Sequence, residues 1–137
     1  MISTPDEFIK LINSNCPNEY NLAGRKEAPV PVWLELIKGY PDMRVWVARN
    51  RTIPREIMDY LSKDDNPVVR EAISAKYPLD VDMYLLFSRD PDEGIRARLI
   101  FNKGLPVFIL KHMAENDPSD FVREKALEKY MQIKLGA

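Results

Sequence analysis

Four arginines recur at an almost constant interval: Arg44, Arg70, Arg96 and Arg123 stand 26, 26 and 27 residues apart. An evenly spaced row of guanidinium groups is a pattern that could track a phosphate backbone. Three aspartates argue otherwise. Asp64, Asp90 and Asp117 each precede one of these arginines by six residues, so each cation has an anion at a fixed offset. The first copy departs from the pattern, because Lys38 occupies the position six before Arg44. That leaves Arg44 to find another partner, with Asp42 the nearest candidate.

Other residues invite a chemical reading. Asp80 and Asp82, Asp90, Asp92 and Glu93, and Glu115, Asp117 and Asp120 are carboxylate groupings of the kind that serve general acid and base chemistry. Most of them fall between apolar segments, where turns and helix caps call for Asp. His112 is the single histidine, and it occupies the repeat position of Tyr60 and Leu86, a packing position. A metal or catalytic role would need a second ligand or an adjacent nucleophile. Cys16, the single cysteine, precedes Pro17 at a helix start, where a thiol pKa can fall; no histidine lies near it in sequence. The five glycines do not form a phosphate-binding loop. The expectation is a protein without catalytic residues, cofactor or metal.

The chain has 137 residues, 45% hydrophobic and 30% charged, with a formal net charge of −1. That length supports one domain with a real core, and that composition is globular rather than disordered. No apolar run approaches the ~20 residues that span a bilayer, and MISTPDEF does not read as a secretory signal. A cytoplasmic protein is expected. The near-neutral total lacks the footprint of a nucleic-acid binder. A local basic face from Arg44, Arg49, Arg51, Arg55, Lys76, Arg98, Lys103 and Lys111 is the competing possibility.

The elements that must position these residues follow from the repeat. Apolar side chains share the arginine period: Met43, Val69, Ile95 and Val122; Val47, Ile73, Leu99 and Ala126; Ile57, Met83 and Ile109; Leu61, Phe87 and Met113. Within each copy they lie four apart in two runs, the mark of one helix face. Each unit therefore reads as helix, turn, helix. Pro54 and Pro106 suit a first helical turn. A 26-residue unit cannot bury its own apolar face, so each copy must be the packing partner of the next. Upstream, Ala28–Pro41 reads as a shorter, degenerate unit resembling the second helix, with Gly39 as its C-terminal stop. STPDEFIKLIN predicts a helix opened by a capping box of Thr4 and Glu7. Residues 1–28 are expected to cap the array, 29–118 to form the repeats and 119–137 to make a capping helix.

The segments MRVWVARNRTIPREIMDYLSKD, VREAISAKYPLDVDMYLLFSRD and IRARLIFNKGLPVFILKHMAEN resemble HEAT-like repeats, and more closely the leucine-rich repeat variant. The resemblance covers about residues 29 to 131. It implies an all-α, right-handed α-solenoid of four to five helix pairs. It also implies that Arg44, Arg70, Arg96 and Arg123 with Asp64, Asp90 and Asp117 form a buried structural ladder. One variant of that family carries an iron–sulfur module, for which Cys16 alone offers no ligand set.

Positions that drift between copies are free of the packing demand. Trp46, Glu56, Asp59, Asp82 and Tyr84 stand at such positions or beside the core stripe and are the candidate partner contacts. The size and repeat type resemble small bacterial immunity proteins of contact-dependent growth inhibition systems. That likeness implies a protein partner, a toxin domain of nuclease type, held by covering its active site. The alternatives are a HEAT-like nucleic-acid protein related to DNA glycosylases and a scaffold or chaperone subunit of a larger enzyme.

Overall fold

The computed structural model describes residues 1–136, and every regular element among them is helical. Ten α-helices follow in order: α1 Pro5–Ile12, α2 Pro17–Leu22, α3 Val30–Gly39, α4 Arg44–Arg49, α5 Arg55–Ser62, α6 Pro67–Ser74, α7 Val81–Ser88, α8 Glu93–Leu99, α9 Val107–Asn116 and α10 Asp120–Lys134. A single 3₁₀ turn, Pro41–Met43, leads into α4. No helix of the described residues is long and apolar enough to cross a membrane. The chain divides into two compact units, Met1–Ile73 and Ser74–Ala137.

In the first unit α1 starts where its sequence dictates. Thr4 accepts the Glu7 N–H at 3.3 Å, and Pro5 takes the first helical position. Glu7 returns its carboxylate to the Ser3 N–H at 3.3 Å, one residue earlier than a strict capping box would place it. The extended N-terminus is pinned by the Ile2 N–H, which donates to the Glu27 carbonyl at 2.7 Å. Phe8 meets Trp33 of α3 edge to face, with ring centroids 5.4 Å apart. Helix α3 packs against α1, α4 and α5. Trp33, Leu36, Val47, Ile57 and Leu61 are buried completely.

In the second unit α9 and α10 make the most extensive contact, α8 packs on α10, and α7 packs on α8 and α9. The apolar positions shared between copies are buried in both units: Val69, Ile73, Met83, Phe87, Ile95, Leu99, Ile109, Met113, Val122 and Ala126. Met43 and Leu105 are only half-buried. Met43 lies in the 3₁₀ turn, before the helix that would have turned it inward. Pro54 and Pro106 stand one residue before their helices, as N-caps of α5 and α9. Helix α10 is N-capped by Ser119 and runs 15 residues.

One turn design recurs. Asp64, Asp90 and Asp117 each accept, through Oδ1, the N–H two residues on: Asn66 at 2.9 Å, Asp92 at 2.8 Å and Ser119 at 2.9 Å. This Asx turn delivers Asp92 and Ser119 to their N-cap positions, where they accept from Ile95 and Val122. The arginine six residues on then reaches back to the aspartate's own carbonyl. Arg70, Arg96 and Arg123 donate from Nη1 to the carbonyls of Asp64, Asp90 and Asp117 at 2.8, 2.8 and 2.6 Å. The offset of six in the sequence thus closes the loop that opens the helix. Arg44 has no such aspartate, and its Nε donates instead to the Ile37 carbonyl at 2.7 Å. Its acidic partner is Asp64, 3.4 Å away, rather than Asp42.

Tyr84 belongs to the core rather than to a contact surface. It is 2% exposed, its hydroxyl donates to Asn102 Oδ1 at 2.8 Å, and it accepts the Leu79 N–H at 3.2 Å. Asn102 extends the network, donating to the Lys76 carbonyl at 2.9 Å while accepting the Gly104 N–H at 3.0 Å. Gly104 is required here by close approach, since a Cβ at that position would fall on the Tyr84 hydroxyl. Gly104→Ala is therefore expected to cost about 2–3 kcal/mol, from overpacking and a displaced buried hydroxyl. Urea denaturation of the variant measures it, and Tyr84→Phe in the same background should recover part of the loss by removing the hydroxyl.

Candidate functional site

A cleft of the first unit lies between α2 and α4, with a volume of about 630 Å³. Its walls are Tyr20 from α2, Trp46 and Arg49 from α4, and Ile12, Gly24, Arg25 and Arg51 around them. Tyr20 and Trp46 meet edge to face with centroids 5.7 Å apart and planes at 78°. The Arg49 guanidinium lies 5.1 Å from the centre of the Trp46 ring. That stacking neutralises no charge, so Arg49 keeps its cation in the cleft. No ion pair reaches Arg25, Arg49 or Arg51 among the described residues, and no carboxylate lines the cleft.

Asn50, which ends α4, holds this arrangement together. It is fully buried. Its Nδ2 donates to the carbonyls of Ala23 and Lys26 at 2.7 and 3.0 Å. Its Oδ1 accepts the Thr52 N–H at 2.8 Å. The Arg51 N–H adds a bond to the Gly24 carbonyl at 2.9 Å. The loop carrying Arg25 is thereby strapped to the helix end carrying Trp46 and Arg49. Asn50→Ala is expected to cost about 1–3 kcal/mol, because the buried Ala23 carbonyl loses its donor and the half-buried Lys26 carbonyl keeps the longer bond from Thr52 Oγ1. Hydrogen exchange should show faster opening of residues 23–26 before any other segment.

The other candidate contacts do not gather around Trp46. Glu56 and Asp59 are exposed on α5 and outside the cleft. Asp59 already pairs with Arg55 at 2.9 Å. Asp82 is exposed in the first turn of α7, in the other unit. Of the cations weighed as a basic face, Arg49 and Arg51 enter the cleft, while Arg44 and Arg55 are held by Asp64 and Asp59. Burial pushes the Lys76 ammonium below its ordinary pKa, so it is a poor element of a basic surface. Tyr20, Arg25 and Ile12 line the cleft without any mark from the repeat. They belong to the N-terminal segment outside the repeat, so comparison between copies could not flag them.

A second cleft, of about 430 Å³, lies in the second unit beside Arg96, His112 and Asp117. Its principal charges satisfy each other. Arg96 Nε and Nη2 reach the two carboxylate oxygens of Asp117 at 3.0 and 3.3 Å, with both side chains nearly buried. His112 is exposed rather than packed, as are Tyr60 and Leu86 at the matching positions. This position falls on the outer side of its helices: three large side chains at one repeat position do not make it a core position. Asn116 lies 3.2 Å from His112 Nδ1. Cys16 is exposed as the N-cap of α2 and makes no side-chain cap bond.

No protein-family model, curated protein or solved structure matches this chain.

Proposed function

We propose that this chain is a non-catalytic protein-binding module and that the cleft around Trp46 is its contact site. The observation that carries the reading is the composition of that cleft. Trp, Tyr and Arg dominate binding energy at protein interfaces, and here they line one accessible hollow. The uncompensated guanidinium groups of Arg25, Arg49 and Arg51 call for a partner that offers carboxylates beside an apolar side chain. Such a partner gains from steering at long range and from desolvated contact at Trp46.

The wider form of the proposal is the HEAT-like or leucine-rich repeat variant α-solenoid. The repeated burial of equivalent apolar positions and the thrice-repeated Asp–Arg turn support it. The narrower form is an immunity protein that neutralises a cognate toxin domain in the cytoplasm. It rests on the resemblance in size and repeat type. The exposed acids Glu56 and Asp59 of the first unit would then face a basic nuclease surface, and the Trp46 cleft of the same unit would supply the anchor.

Co-expression of the tagged chain with the product of the gene immediately upstream tests both forms. The expected result is an equimolar complex that survives a high-salt wash, with the partner's toxicity suppressed. Trp46→Ala should weaken that complex by more than about 2 kcal/mol, and Glu56→Ala by less than about 1 kcal/mol. Equal effects at the two positions would remove the cleft from the interface. Binding of single-stranded oligonucleotide with a steep salt dependence, and of no protein, would replace the reading with nucleic-acid recognition.

A further inference from the structure

Helix α10 carries a second apolar surface that its own unit does not use. Val122 and Ala126 are fully buried and mark the side packed on α8 and α9. At about 100° per residue, Glu124, Leu127 and Met131 lie roughly 120° to 180° around the helix from that side. Leu127 is 51% exposed and Met131 49%, and Leu135 next to them is 79% exposed. Glu124, Leu127, Met131 and Lys134 are separated by three, four and three residues. That alternation is the spacing of a coiled-coil seam.

We infer that this seam pairs with the same seam of a second copy of the chain, the two α10 helices running antiparallel about a two-fold axis. The order of charges selects both the occupant and the direction. The acid stands at the N-terminal end of the seam and the lysine at the C-terminal end. A parallel pair would set Glu124 against Glu124 and Lys134 against Lys134. An antiparallel pair centred between Leu127 and Met131 puts Glu124 opposite the lysine of the other copy, twice. It also puts Leu127 against Met131, twice. A two-fold interface needs one surface that is complementary to itself, and this four-residue seam meets that condition. It is independent of the Trp46 cleft, which lies in the other unit.

A single helix pair falls short of a standard interface of about 1,600 Å², so the dimer should be weak and visible at about 100 μM protein. Sedimentation equilibrium on the full chain tests it, with circular dichroism on each variant to show that the helices persist. Wild type is expected to dimerise. Glu124→Lys and Lys134→Glu should each weaken the homodimer by more than about tenfold. An equimolar mixture of the two variants should associate again, because each copy then presents the charge the other lacks. Leu127→Gln should weaken association without reversing any charge. A wild-type chain that stays monomeric at that concentration overturns the inference. So does a dimer unaffected by either reversal, or a mixture that stays monomeric.

Discussion

Arg96→Met is expected to cost about 3–5 kcal/mol, the range for breaking a buried ion pair by removing one partner. The loss comes chiefly from what is left behind. Asp117 is 2% exposed in its side chain, and without Arg96 its carboxylate keeps, among the described residues, the bond from the Ser119 N–H. The Asp90 carbonyl loses its 2.8 Å donor in the same step. Urea titration followed by circular dichroism measures the change. Removing both charges in Arg96→Met with Asp117→Leu should recover part of the loss, since no buried charge then stands alone. Arg44→Met is the internal comparison. Its partner Asp64 is 3.4 Å away and the arginine is one-third exposed, so the lost ion pair and the lost 2.7 Å bond to the Ile37 carbonyl should together cost about 1–2 kcal/mol. Equal losses at the two positions would refute this account of the arginine row.

Trp33→Ala is expected to cost a similar amount, about 3–5 kcal/mol, by opening a large cavity. Trp33 is fully buried and is the ring on which Phe8 of α1 rests. The indole carries a defect, since its Nε1 is buried without a hydrogen-bond partner among the described residues. An orphaned donor costs about 1–3 kcal/mol relative to a satisfied one. Trp33→Phe should therefore cost distinctly less than the lost volume alone predicts, because it removes that donor too. If Trp33→Phe proves as damaging as Trp33→Ala, the N–H makes a bond in solution and this reasoning fails. In the alanine variant α1 should fray first, leaving the 2.7 Å bond from Ile2 to Glu27 to hold the N-terminus unaided. Hydrogen exchange at residues 5–12 reads that directly.

Helix content and the buried positions were legible because period and burial are linked. Val47, Ile73, Leu99 and Ala126 recur at one place in the repeat, and all four are buried. The same logic failed at His112, Tyr60 and Leu86, where size was mistaken for burial. It failed in the opposite sense at Tyr84. Its counterparts at the same repeat position, Met58 and Leu110, are half-buried and buried, so packing draws that position inward. What holds it is the Asn102 amide, 18 residues away, together with a glycine that leaves room for its hydroxyl. Neither relation has a local signature.

The amino-acid order alone marked the start of α1, through Thr4 and Glu7, and the two-helix rhythm of the repeat, because caps and periods act over a few residues. The N-cap roles of Asp92, Ser119, Pro54 and Pro106 became visible only in the structure. It also marked Arg96 and Asp117 as members of regular series, since both recur at fixed intervals. Only the tertiary structure decided that these two residues pair with each other and that Arg44 turns to Asp64. It alone brought Tyr20 and Arg25, from the segment without repeats, beside Trp46. Contacts between segments tens of residues apart depend on how helices pack and on which buried polar atoms need partners, and no periodicity in the chain encodes that choice.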